Sequence, residues 1–173
     1  MSNRALFLDR DGVINFDYGY VHKITHFDFR PEIFEICKVA LDYKYKIIII
    51  TNQSGIGRKL FSEKDFLLLN QFMIREFNKK SIKISGTYYC PYHPSEGKGK
   101  YLKDSFFRKP NPGMILKASK DFDIDLKESI MIGDKDSDYE ASRRANLKHY
   151  VDAKNIKWKF NSINLFLKSE KYD

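Results

Sequence analysis

The chain is 173 residues long, enough for one core that needs no disulfide or metal staple, and its 42% hydrophobic content excludes a disordered chain. With only two cysteines, Cys37 and Cys90, a disulfide framework is excluded, and the longest apolar runs are too short to cross a bilayer. The net charge of +8 reads first as a solvated surface and second as an attraction for a small anion, since no basic stripe interleaved with aromatics marks a polynucleotide track.

The predicted elements alternate. "RALFLDRDG" is a short buried strand whose C-terminal end carries Asp9. "PEIFEICKVALDYKY" places Pro31 at the first helical position and an apolar stripe behind it. "KIIIITNQSG" is a strand buried on both faces that ends at Thr51 and Asn52. "SEKDFLLLNQFMIREFNK" opens with Ser62 and Asp65 spaced as a near capping box. "IKISGTYYC" is a third strand, "NPGMILKASKDF" a helix, and "ESIMIGDK" a fourth strand ending at Asp134. "SDYEASRRAN" predicts a helix, "LKHYVDA" a short strand, and the tail from Asn161 a final helix.

Strands separated by helices predict an α/β fold of three layers around a mainly parallel sheet. Ligands in such folds bind beyond the carboxyl ends of the strands. Asp9 with Asp11, Thr51 with Asn52, Lys109, and Asp134 with Asp138 all fall at those ends. No linker divides the chain, so residues 1–173 are expected to form one domain with a loop insertion at about 90–110 and no cap domain.

Asp9 and Asp11 would point to opposite faces of a regular strand, so sharing a site requires the chain to turn, and Gly12 supplies the freedom. A hard cation such as Mg²⁺ could then take the Asp9 carboxylate and the Asp11 backbone carbonyl, leaving the Asp11 side chain free for proton transfer. Alone, the Asp-x-Asp-Gly pattern is equally a solvent-facing turn.

In order and spacing, "FLDRDGVIN", "IITNQSG", "RKP" and "IMIGDKDSD" resemble the four motifs of the haloacid dehalogenase-like (HAD) phosphatases, over Ala5 to Ala153. The resemblance implies Asp9 as the nucleophile, Asp11 as the general acid and base, Thr51 as a phosphoryl-oxygen ligand and Lys109 as the neutralising cation. It also implies Asp134 as a metal ligand and Asp138 as a supporting acid. To donate a proton near neutrality Asp11 needs a raised pKa, for which crowding by the carboxylates is the expected cause.

A narrower resemblance adds "GYVHK", "FRPEI", "TNQSGIGR", "CPYHP" and "RKPNPGM". These stretches are similar to the capless D-glycero-D-manno-heptose 1,7-bisphosphate 7-phosphatases. That family implies a small phosphorylated sugar as substrate and Mg²⁺ as cofactor. The two cysteines and short apolar runs lead us to expect a cytoplasmic location, the scattered charge no nucleic-acid or membrane partner, and the short capless chain a monomer. Asn52, Gln53, Ser54 and Arg108 would position substrate, with His22 as a further candidate. Arg58, His22 and Arg108 each have an alternative reading as surface or structural residues.

Zinc-bearing relatives use Cys-x-His and a later Cys-x-Cys before the Arg-Lys pair. Here only Cys90 remains, with Tyr92, Ser105 and Phe107 at the other positions, so structural zinc is not expected. The loop is expected to be a lid anchored by Tyr92, Tyr101, Leu102, Phe106 and Phe107, and mobile around Gly97 and Gly99. Histidinol-phosphate phosphatase, polynucleotide 3′-phosphatase and a non-catalytic phospholigand binder stand as alternatives.

Overall fold

A computed structural model of the chain describes residues 3–154, so the expected helix from Asn161 lies outside the described residues. Strand β1 (Arg4–Leu8) is followed by helix α1 (Glu32–Asp42), β2 (Tyr45–Asn52), the single-turn α2 (Ser54–Gly57) and α3 (Glu63–Lys79). Then come β3 (Ile84–Cys90), α4 (Gly113–Phe122), β4 (Ile130–Gly133), α5 (Asp136–Arg144) and β5 (His149–Asp152). The five strands form one parallel sheet in the order β3-β2-β1-β4-β5.

Side-chain alternation along the strands divides the core into two layers. Leu6, Leu8, Ile47, Ile49, Ile130 and Ile132 face the stripe of α1 and α3, where Ile33, Cys37, Leu69, Met73 and Phe77 are buried. Ala5, Phe7, Ile48, Ile50 and Met131 face Met114, Ile115 and Ala118 of α4 and Ala141 of α5. The four isoleucines of β2 are each fully buried, and each contributes about 1.5–3 kcal/mol relative to an exposed position. A strand this apolar can sit only between two layers of helices.

Local signals explain the helix boundaries. Pro31 stands at the N-cap of α1, next to its expected place, and Glu32 and Glu35 lie in the first turn where the helix dipole favours them. For α3 the capping box is complete: the Ser62 hydroxyl accepts from the Asp65 N–H at 3.1 Å, and the Asp65 carboxylate accepts from the Ser62 N–H at 2.8 Å.

Because β1 is central, the connections leaving β2 and β4 run to opposite edges of the sheet. A crevice therefore opens beyond the carboxyl ends of β1, β2 and β4. Among the described residues no insertion large enough for a separate cap interrupts the elements, and no helix is long and apolar enough to cross a membrane.

Candidate active site

Asp9 follows β1 directly, and its N–H still donates to Ile132 O at 3.0 Å, so the sheet itself positions it beside β4. The chain then folds tightly: the Ile14 N–H donates to Arg10 O at 2.8 Å and the Gly12 N–H to Asn15 O at 2.8 Å. Gly12 has φ +90°, and a Cβ there would lie 2.3 Å from Asp134 Oδ2. The backbone of this turn thus rests against the β4 acid, and only glycine permits both the angle and the approach.

Lys109 enters from the loop before α4. Its ammonium lies 2.8 Å from Asp9 Oδ1 and 2.5 Å from Asp138 Oδ1, and donates to Ile50 O at 2.9 Å. One hydrogen bond and two ion-pair contacts thus surround the ammonium. Burial alone would push the lysine down, but Asp9 and Asp138 outweigh it and hold its pKa above the ordinary value. Asp138 is fully buried, and its other oxygen accepts from the Asp134 and Lys135 N–H groups at 3.2 and 3.1 Å. It supports both the lysine and the turn that carries Asp134.

Asp9, Asp134 and Asp138 can each turn one oxygen into a group spanning no more than 4.8 Å, the one such acid, His or Cys group among the described residues. Burial, then repulsion from Asp9, pushes the Asp134 carboxyl up to about 6. Burial and Asp138 likewise raise Asp9, against the pull of Lys109. Asp134 Oδ1 is buried and has no hydrogen-bond donor among the described residues. An orphaned carboxylate oxygen beside like charges fits Mg²⁺, a hard cation that takes carboxylate oxygens. Asp9 and Asp134 would hold it.

Asp11 stands apart from this cluster. Its carboxylate accepts from Arg10 Nε and Nη2, from Asn15 Nδ2 at 3.0 Å and from Gln53 Nε2 at 3.1 Å. The crowding by carboxylates expected around Asp11 falls on Asp9 and Asp134 instead, because the turn after Leu8 swings the second acid toward a buried arginine. Arg10 also donates to Val21 O at 2.6 Å and lies over Phe27 and Phe66. Sequence reasoning missed Arg10, since an arginine between two acids reads as a surface residue.

Gln53 Nε2 also donates to Thr51 Oγ1 at 2.9 Å, so one amide joins the expected acid to the expected phosphoryl-binding hydroxyl. Above lies a cavity of about 290 Å³ lined by Asp11, Asn52, Gln53, Ser54, Arg108 and Lys135, together with the turn holding Asp17, Gly19 and Tyr20. Lys135 was not foreseen, although it directly follows the Asp134 ligand position. It pairs with Asp17 at 3.1 Å; burial opposes its charge, but Asp134, Asp9 and Asp17 hold its pKa above the ordinary value.

Two expectations change. His22 does not line the cavity: its ring stacks on Phe61 at 4.9 Å and its Nδ1 donates to Tyr20 O at 2.8 Å. A short turn and an aromatic neighbour hold it outside. The 90–110 loop is tied together, and to α2, by backbone hydrogen bonds. The His93 N–H donates to Tyr101 O, the Lys103 N–H to His93 O, and the Lys98 N–H to Gly57 O. A Cβ at Gly97 would lie 2.2 Å from Tyr101 O, so that glycine serves close packing.

Arg58 forms an ion pair with Glu96 and meets His93 Nε2 at 3.0 Å, pinning the loop to the end of α2. Tyr92 and Tyr101 pack at 6.0 Å, whereas the expected anchors Leu102, Phe106 and Phe107 are exposed. Buried Cys90 is hydrogen-bonded to the Tyr92 N–H and the Ser105 hydroxyl, and Arg108 donates to Tyr92 O at 3.1 Å. Hydrogen bonds thus close the loop at its base.

A nucleophile-sized acid at the end of the central strand, a buried lysine and a divalent-ion cluster define a HAD-type phosphatase. The HAD-hydrolase-like family model matches residues 106–151. A D-glycero-alpha-D-manno-heptose-1,7-bisphosphate 7-phosphatase from Burkholderia mallei is 52% identical over 85% of this chain and 78% of its own. The corresponding beta-anomer enzyme of Haemophilus influenzae is 45% identical over 86% and 80%. A B. bronchiseptica D,D-heptose 1,7-bisphosphate phosphatase, solved with magnesium and phosphate, superposes with a TM-score of 0.75 at 26% identity, covering 86% of this chain and 79% of that one. The chain belongs to the D-glycero-D-manno-heptose-1,7-bisphosphate 7-phosphatase family.

Proposed function

We propose that this protein removes the 7-phosphate of D-glycero-D-manno-heptose 1,7-bisphosphate, acting as a cytoplasmic monomer whose single domain spans residues 1–173. The observation that carries the reading is the cavity of about 290 Å³, whose lining brings the acid Asp11 together with two cations, Lys135 and Arg108. A substrate with an anionic group at each end of a short polyol matches cations placed in this way.

Asp9 attacks phosphorus, forming an aspartyl-phosphate as the bond to the sugar oxygen breaks, and Asp11 protonates that oxygen. Asp11 then takes a proton from water, which attacks phosphorus and releases Asp9 and phosphate. Lys109 holds Asp9 in place and offsets the charge that two anions bring together. Thr51 and Ser54 offer hydroxyls to the phosphoryl oxygens, and Gln53 holds Asp11 beside Thr51. Mg²⁺, when bound by Asp9 and Asp134, supplies further positive charge at the transferring group.

The test is phosphate release by the purified protein from both anomers of the heptose bisphosphate and from histidinol phosphate, with and without Mg²⁺. Mg²⁺-dependent preference for a heptose bisphosphate is the expected result. Stronger turnover of histidinol phosphate, or none of either heptose anomer, overturns the reading.

A further inference from the structure

Asn52 lies at the end of β2, on the cavity wall, where an amide side chain looks like a substrate contact. Its polar atoms are engaged elsewhere. Asn52 Oδ1 accepts from the Lys109 N–H at 3.0 Å, and Asn52 Nδ2 donates to Lys109 O at 3.0 Å. Among side chains, an amide presents a donor and an acceptor side by side, so it can pair with both backbone groups of one residue. The pairing imitates a strand ladder between two segments 57 residues apart in sequence.

The other end of Lys109 returns to the same strand, since its ammonium donates to Ile50 O at 2.9 Å. Ile50 and Asn52 are two residues apart, about 6.6 Å along a strand, a distance an extended lysine side chain covers. Lys109 is therefore held against β2 at both ends, by Asn52 at its backbone and by Ile50 O at its ammonium. From that seat the ammonium meets Asp9 and Asp138.

We propose that Asn52 is a positioning residue which acts through Lys109, setting where its ammonium stands against Asp9, and not a substrate-recognition residue. The inference rests on the hydrolase reading of Asp9 and Lys109 but not on the identity of the sugar. Loss of the clamp frees the Lys109 backbone at the point where displacements of an ångström cost up to about 100-fold in rate.

The experiment compares Asn52→Ala and Asn52→Asp with the parent on two substrates, the heptose bisphosphate and p-nitrophenyl phosphate, in Mg²⁺. Thermal unfolding is followed in parallel, and rates are measured well below the transition. For Asn52→Ala, kcat is expected to fall about 10- to 100-fold on both substrates, with KM changed less than about threefold. Asn52→Asp keeps the acceptor for the Lys109 N–H but turns an oxygen toward Lys109 O. It is isosteric, so it carries the test if Asn52→Ala does not fold, and the same loss in kcat is expected.

A rise in KM confined to the heptose bisphosphate would make Asn52 a substrate contact and overturn the proposal. A lower melting temperature with unchanged kcat per folded molecule would make it merely structural and overturn it equally. If the parent hydrolyses p-nitrophenyl phosphate but not the sugar, the substrate reading fails while this test still runs.

Discussion

Lys109 Nζ stands 2.8 Å from Asp9 Oδ1 at a point where both side chains are almost wholly out of solvent. A buried lysine in contact with two buried acids is an arrangement in which each charge depends on the others. Removing one member leaves the remaining charges without compensation.

Lys109→Ala is therefore expected to damage stability as well as catalysis. Leaving Asp9 and Asp138 uncompensated costs about 3–5 kcal/mol, and turnover falls about 1000-fold or more. The urea midpoint at neutral pH and the rate of phosphate release check the two effects separately. Wild-type values for both would show that the ammonium neither holds the acids nor offsets charge.

The Asp134 carboxyl, pushed up to about 6 by burial and by Asp9, makes stability depend on pH. The folded chain binds more protons than the unfolded chain between the ordinary carboxylate value and about 6. Stability of the metal-free protein is therefore expected to fall as pH rises through that window. Mg²⁺ competes with the proton for the same oxygen, so the rise in melting temperature on adding Mg²⁺ should grow with pH across the window and then level off. A Mg²⁺-induced shift that is constant from pH about 4.5 to about 7 would contradict this.

Gly12→Ala tests the turn. The new Cβ would lie 2.3 Å from Asp134 Oδ2, on a backbone with φ +90°. Strain of about 1–3 kcal/mol is expected, with displacement of Asp134. Mg²⁺ affinity, read by calorimetry, should weaken more than 10-fold, at about 1.4 kcal/mol for each factor of ten. Parental Mg²⁺ binding would mean that the turn does not rest on the acid.

Arg108→Ala should separate substrate recognition from chemistry. Losing a charged hydrogen-bond donor costs about 1.5–3 kcal/mol, or about 10- to 100-fold in kcat/KM for the heptose bisphosphate. The loss on p-nitrophenyl phosphate, which has no second phosphate, should be much smaller. Equal losses on the two substrates would place Arg108 with the reacting group.

Much of this architecture can be read along the chain. Four isoleucines in a row require a strand covered on both faces, Ser62 with Asp65 marks the start of α3, and acids directly after apolar runs mark strand ends. Resemblance to the family motifs also marks Asp9, Lys109, Asp134 and Asp138 as a set, and in the fold they lie together. Those signals are local, and strand-end geometry makes them converge.

The second layer of the site is not local. Asn52 reaches across 57 residues to the Lys109 backbone, Gln53 across 42 to Asp11, and Lys135 across 118 to Asp17. Burial of Arg10, the outward position of His22 and the packing of Gly97 likewise depend on which segments the sheet order places side by side. Sequence alone determined the five strands and helices α1, α3, α4 and α5, because periodicity and capping signals are properties of neighbouring residues. Only the tertiary structure decided which polar side chains face the cavity and which hold the reacting groups in place. An amide or guanidinium can serve either purpose, and what it does is set by the donors and acceptors brought within about 3 Å of it.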